Sequence, residues 1–295
     1  MTDEQFQKIQ SGRGFIAALD QSGGSTPKAL KLYGIDEDQY SDDDEMFALM
    51  HAMRSRIITS PSFSGDHILG SILFEDTMDR DIDGRNSVSF LWDVKGVVPF
   101  LKVDKGLASE RDGVQVMNPI PALASLVTRA EKNGVFGTKM RSFIRLGSRT
   151  GIEAVVDQQF HLADQILGAG LVPIIEPEVD IHSPEKGKAE AILKQSIAEQ
   201  LAQLPPHHSV ILKLSLPEVD DFYSDLVRHP NVLRVVALSG GYGQHEADIR
   251  LAANHGLIGS FSRALTEGLS VHQTDAEFDA TLEHSIDNIL EASLT

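Results

Sequence analysis

Apolar positions recur along the chain with two different periods. Runs rich in β-branched and other apolar residues occupy residues 14–20 (GFIAALD), 67–75 (HILGSILFE), 97–104 (VVPFLKVD) and 137–142 (GTKMRS). They continue at residues 172–179 (VPIIEPEV), 209–216 (SVILKLSL), 232–240 (VLRVVALSG) and 257–265 (LIGSFSRAL). Each predicts a strand. Between them lie helical patterns at residues 27–33, 43–59, 121–133, 152–169, 186–204, 219–229, 246–255 and 275–292. Strands alternating with helices predict parallel βα units. Eight such units fit one (β/α)8 TIM barrel over residues 1–295 better than two doubly wound domains. The acidic stretch DEDQYSDDDE at residues 36–45 reads as a loop entering a helix, with Ser41 or Asp42 as N-cap. It lacks the central glycine and the spaced closing glutamate of a calcium loop.

Composition narrows the function classes. Hydrophobic residues make up 41% and charged residues 23%, as in ordinary globular chains. Lys+Arg number 26 against 43 Asp+Glu, a net charge of −17, which disfavours a nucleic-acid partner. With no Cys, disulfides, thiolate metal sites and Cys nucleophiles are excluded. The N-terminal MTDEQFQKIQ has neither the basic stretch nor the apolar core of a secretory signal, and no apolar run approaches a membrane span. A soluble, cytoplasmic chain is the expectation.

In a strand, residues two apart share a face. Lys213 and Ser215 share one with Ile211, while Leu212, Leu214 and Leu216 share the other. The all-leucine face suits the helical layer, so Lys213 is expected to point into the barrel. By the same rule Glu176 pairs with Glu178, Lys139 with Arg141, and Lys102 with Asp104; Asp20 closes the first strand. One strand lysine is usually a snorkelling or ion-paired one. Several strands placing charge at their carboxyl ends is different, because those ends meet at the mouth where barrel active sites form. Burying Lys102, Lys139, Arg141 and Lys213 together would cost several kcal/mol unless they were paired or bound an anion.

Ser239-Gly240-Gly241 follows the seventh strand and can present backbone N–H groups to an anion. Ser260 and Arg263 follow the eighth, where barrels often bind phosphate. Ser22 and Ser25, before a helix with Thr26 as its expected cap and Lys28 in its first turn, offer a second anion site. Two basic regions on opposite sides of the mouth suggest a substrate with two phosphates.

An amine attacks a carbonyl only in its neutral form, and burial beside other cations lowers a lysine pKa. Lys139 and Arg141, on a neighbouring strand, are the expected cations for Lys213, and Glu176 is placed to move protons. The resulting iminium is an electron sink that stabilises an adjacent carbanion without a metal. No His-x₃₋₅-His pair or HExxH supports a metal site; His207-His208 reads as loop surface, and His182 is a weak metal candidate.

The segments LDQSGGS, ILFEDTMDR, FLKVDKG, GTKMRS, PIIEPEVD, ILKLS, ALSGG and GSFSRAL, in this order, resemble the class I (Schiff-base) fructose-1,6-bisphosphate aldolases. The chain is most similar to the short bacterial members. The resemblance implies a (β/α)8 barrel that reversibly cleaves fructose 1,6-bisphosphate into dihydroxyacetone phosphate and glyceraldehyde 3-phosphate, in glycolysis and gluconeogenesis. It implies Lys213 as the Schiff-base lysine, Glu176 as the principal acid/base and Glu178 as its neighbouring carboxylate. Lys139 and Arg141 match the active-site Lys and Arg, and Asp20 the carboxylate that handles a substrate hydroxyl. Lys102 matches a basic residue near the substrate. Ser239, Gly240, Gly241, Ser260 and Arg263 fall in one set of phosphate loops, and Ser22, Ser25 and Lys28 in the other. No metal cofactor, a sugar-phosphate substrate and a homo-oligomer are expected.

The sequence departs from the animal pattern in three places. Gln21 replaces a Glu, Phe261-Ser262 replaces a Tyr-Gly pair, and the ending LEASLT has no long tail with a terminal Tyr. The alternatives are a Schiff-base aldolase or transaldolase-like enzyme for a related sugar phosphate, and a non-catalytic binding barrel.

Overall fold

The computed structural model describes residues 2–295. Eight parallel strands follow one another around a ring: β1 Phe15–Leu19, β2 Ile68–Leu73, β3 Val98–Lys102, β4 Gly137–Ile144, β5 Val172–Val179, β6 Val210–Ser215, β7 Val232–Leu238 and β8 Leu257–Gly259. Each is hydrogen-bonded to its predecessor. The Ala18 N–H donates to Phe261 O at 3.2 Å, which brings the end of β8 round to β1. The predicted barrel is therefore present, its strands in chain order.

Side-chain alternation divides the apolar residues into two clusters. Ile16, Val98, Phe100, Ile174 and Ile211 fill the interior of the ring. Leu212, Leu214 and Leu216 pack outward among the helices, as the β6 pattern predicts. Strands covered on both faces need apolar residues at nearly every position, hence the near-continuous runs. Toward the carboxyl ends the inward positions turn charged on several strands at once. That switch leaves a polar mouth above an apolar plug.

The longer helices are α1 Asp3–Ser11, α2 Thr26–Tyr33, α3 Asp43–Thr59, α4 Leu123–Lys132, α5 Arg149–Gly168, α6 Lys186–Leu201, α7 Gln244–Ala252 and α8 Asp275–Ala292. Asp42 caps α3 by accepting from Glu45 N–H at 2.9 Å, one of the two expected caps. Helix α1 lies outside the predicted set. Its Ile9 joins the inner cluster with Leu69, Val172 and Leu233, from the amino ends of β2, β5 and β7. Arg234 donates to Ile9 O at 3.1 Å and Gly12 O at 2.6 Å, tying α1 across that end of the ring.

Three local expectations are corrected. The helix expected at 219–229 is a single turn, Ser224–Val227. Asp221 there has φ 57°, its N–H donates to Asn254 Oδ1 at 3.0 Å, and its carboxylate accepts from His255 N–H at 2.7 Å. These bonds compete with helical ones. The eighth strand ends at Gly259, and residues beyond it turn into a short helix, Arg263–Thr266. Thr26 is inside α2 rather than its cap, because the 3₁₀ turn Gly23–Ser25 precedes it and Ser25 takes the cap position.

Candidate active site

The carboxyl ends of the strands surround a cavity of about 850 Å³. Lys213 enters it from β6 and is only 4% exposed. Its Nζ lies 3.0 Å from Glu176 Oε1, on β5. The other oxygen of that carboxylate, Oε2, lies 2.8 Å from Lys139 Nζ, on β4. Lys139 also reaches Asp20 Oδ2 at 2.7 Å, just past β1. A chain of alternating charge, Asp20–Lys139–Glu176–Lys213, thus crosses the floor of the mouth, and all four side chains are buried.

Lys139 is not on a strand adjacent to Lys213. Strand β5 separates them, and Glu176 is the bridge. Nor does Arg141 serve as a free cation for Lys213, since its Nε is bound to Glu178 Oε2. The expected pair of neighbouring cations is corrected to one cation acting through a shared carboxylate. Lys102 donates to Asp104 Oδ1 and, at 3.1 Å, to Asp104 O. Asp104 Oδ2 accepts from the Arg141 N–H at 3.2 Å, which holds the upper ends of β3 and β4 together.

The electrostatics follow from these contacts. Burial works to raise the Asp20 carboxyl, but Lys139, Lys213 and Lys102 hold it well below the usual carboxylate range. Burial likewise opposes ionisation of Glu176, and Lys139 and Lys213 outweigh it, so its pKa is lowered. For Lys139 burial favours the neutral amine, yet Asp20, Glu176 and Asp104 raise its pKa above the ordinary lysine value. Lys139 is therefore a fixed cation among three carboxylates, Asp20 and Glu176 in direct contact and Asp104 at 3.9 Å.

Higher in the cavity stand Ser22, Ser25, Lys28, Ser239, Gly240, Ser260 and Arg263. Gly241, placed with them from sequence, does not line it. Gly240 has φ 62°, and a Cβ there would fall 2.7 Å from Ile181 Cγ2, so the turn demands glycine. Ser260 Oγ is buried with no hydrogen-bond partner and faces the cavity. Among the described residues Lys28 and Arg263 make no ion pair. Seven cationic side chains and four acidic ones line the space, so a chain of net charge −17 carries a local positive field here.

The two basic loops are not on opposite sides of the mouth. Ring closure sets β1 beside β8, and Gln21 Nε2 donates to Ser262 Oγ at 2.7 Å between their loops.

Both comparisons by sequence agree. The profile described as Fructose-bisphosphate aldolase class-I matches residues 3–216. A Synechocystis sp. protein named fructose-bisphosphate aldolase class 1 is 63% identical over 292 residues, covering 99% of this chain and 97% of its own. The chain belongs to the class I fructose-bisphosphate aldolase family. Class 1 aldolases of Clostridium acetobutylicum and Porphyromonas gingivalis are 57% and 55% identical, each covering 100% of both chains. In structure, the chain is similar to a fructose-bisphosphate aldolase from Plasmodium falciparum, solved in a ternary co-crystal with TRAP and a small-molecule inhibitor. That match has a TM-score of 0.77 at 20% identity, covers 98% of this chain and 93% of that one, and speaks to the fold alone.

Sequence reasoning did not select two residues, one behind the cavity wall and one lining it. Arg54 on α3 is buried, donating to Gln21 O and, at 2.8 Å, to Thr77 Oγ1. Its signal was available: Met46, Met50, Arg54 and Ile57 are buried at helical spacing, a charge on an apolar stripe. Ser262 was noted only as a departure from the animal pattern. His182 is exposed. Among the described residues no group of three or more His, Asp or Glu could hold a metal ion, and no helix is long and apolar enough to cross a membrane.

Proposed function

We propose that the chain cleaves fructose 1,6-bisphosphate reversibly through a Schiff base on Lys213. The observation that carries this is the buried Lys213 amine, 3.0 Å from an ionised carboxylate at the base of a cationic cavity. A proton on that amine has Glu176 as its acceptor. The neutral amine then adds to the ketone carbon, and the Glu176 carboxyl returns the proton to the departing hydroxyl as water leaves. With the iminium formed, Asp20 accepts the proton of the substrate hydroxyl whose carbon becomes the aldehyde. The carbon–carbon bond breaks, and its electron pair moves into the iminium to give an enamine. Reprotonation and hydrolysis release dihydroxyacetone phosphate and restore Lys213.

Lys139 contributes fixed charge, keeping Asp20 and Glu176 ionised until substrate arrives. Arg141, Lys102 and Glu178 shape the wall beside the sugar hydroxyls. Ser239, Gly240, Ser260 and Arg263 hold one phosphate; the unpartnered Ser260 hydroxyl and the unpaired Arg263 support this assignment. Ser22, Ser25 and Lys28 hold the other. The proposal includes metal-free chemistry, a cytoplasmic place in glycolysis and gluconeogenesis, and a homo-oligomer whose order sedimentation equilibrium would decide. Borohydride reduction in the presence of substrate, followed by peptide mapping, tests the central step. A triose adduct on Lys213, absent in Lys213→Ala, is expected. An adduct on another lysine, or full activity in Lys213→Ala, would overturn it.

A further inference from the structure

Two of the places where this chain departs from the animal pattern touch each other. Gln21 follows Asp20 in the β1 loop, and Ser262 precedes Arg263 in the β8 loop. The Gln21 side-chain amide donates to the Ser262 hydroxyl at 2.7 Å, although 241 positions separate them in sequence. The Gln21 peptide is itself pinned from behind. Arg54, 1% exposed, donates one guanidinium nitrogen to the Gln21 carbonyl and another to Thr77 Oγ1 at 2.8 Å. Burial lowers the Arg54 pKa, and the Asp20 and Asp76 carboxylates work against that shift. The β1 loop is thus held on the helical side by a rigid bidentate donor and on the ring side by a hydrogen bond to the β8 loop.

We propose that Gln21 and Ser262 form a clasp, anchored by Arg54, that fixes the distance between the two phosphate-holding loops and so tunes the site for a substrate carrying two phosphates. This deepens the proposed function and rests on its assignment of the two loops. Gln21 and Ser262 are positioning residues; they act through the groups beside them. In Gln21, one residue bridges the Asp20 carboxylate on its amino side and Ser22 on its carboxyl side. In Ser262, the clasp ends next to Arg263. A ligand that engages both loops gains from a preset spacing, because loop ordering no longer has to accompany binding. A ligand that engages one loop gains little. The contact is partly solvent-exposed, so its removal should leave the barrel core intact.

The test is a double-mutant cycle. Steady-state parameters are measured for Gln21→Ala, Ser262→Ala and the double variant, on fructose 1,6-bisphosphate and on fructose 1-phosphate. Each single substitution is expected to raise KM for the bisphosphate by roughly three- to tenfold, the size of one lost side-chain hydrogen bond, with kcat within about twofold. The double variant should be no worse than Gln21→Ala, which removes the shared bond together with the Arg54 contact to Gln21 Oε1 at 3.4 Å. KM for fructose 1-phosphate should change less, lowering the preference for the bisphosphate. Effects that multiply independently, equal changes on both substrates, or unchanged KM values would each overturn the clasp. Borohydride trapping on Lys213 is run on all four chains. Retained adduct in the variants shows that the site is folded, whereas no Lys213 adduct in the unsubstituted chain refutes the proposed function itself.

Discussion

Replacing Lys139 by Met removes the centre of the charge chain and leaves a molecule whose stability should depend on pH in a specific way. Lys139 Nζ stands 2.7 Å from Asp20 and 2.8 Å from Glu176. Without it Glu176 keeps Lys213, but Asp20 keeps no direct ion-pair partner among the described residues. Removing one member of a buried pair costs about 3–5 kcal/mol when the remaining charge cannot be relieved. Asp20 can be relieved by taking a proton. In the unsubstituted chain its folded pKa lies below the unfolded value near 3.9. Its stabilisation is then fully present above that unfolded value and is lost only as pH falls through the folded one. In Lys139→Met, burial is opposed only by Lys213 and Lys102, which make no direct contact with Asp20, and the folded pKa is expected to rise above the unfolded one. The folded state now binds the extra proton, so stability falls as pH rises, by up to ~1.4 kcal/mol per pH unit, until the raised pKa is passed. Lys139 itself, with a raised pKa, contributes no slope below about pH 10. Urea unfolding of both chains between about pH 5 and pH 8, followed by the fluorescence of Trp92, measures the difference. The gap between the two chains should widen with pH and level off. A gap that stays constant or narrows would show that Asp20 does not carry the uncompensated charge, and the electrostatic reading of the floor would fail.

Glu176→Gln should lower kcat by roughly 10²–10⁴, as expected for loss of a general acid/base, and should slow formation of the borohydride-trapped adduct on Lys213 in a time course. Arg263→Ala should raise KM for fructose 1,6-bisphosphate by about ten- to a hundredfold, the size of a lost charge-assisted contact, with a smaller change in kcat; an unaltered KM would remove Arg263 from the phosphate site. Prolonged treatment with EDTA should leave kcat unchanged. Activity lost to the chelator and restored by a divalent cation would contradict the Schiff-base route.

The strand faces were legible because alternation is a local property. Two residues along β6 suffice to separate Lys213 from its outward leucines, and the same rule places Glu176, Lys139 and Lys102 inside without knowledge of the ring. What meets what across the ring is not local. Lys139 was expected beside Lys213, yet one strand intervenes, and only the parallel register of β4, β5 and β6 makes Glu176 the shared partner. The phosphate loops were expected to face each other, yet closing the sheet on itself makes the first and last strands neighbours. Helix α1 escaped notice because its apolar face is narrow and serves the end of the barrel, not its flank. Arg54 escaped because a charge in an apolar stripe reads as noise until its partners are known. Gln21 and Ser262 bring these limits together. Each is an unremarkable polar residue in its own loop, and the reason for either is visible only in the other. In a barrel, where chain ends become neighbours, departures from a family pattern near β1 and β8 are therefore best interpreted as pairs, because a change on one side of the seam alters the hydrogen-bonding need on the other.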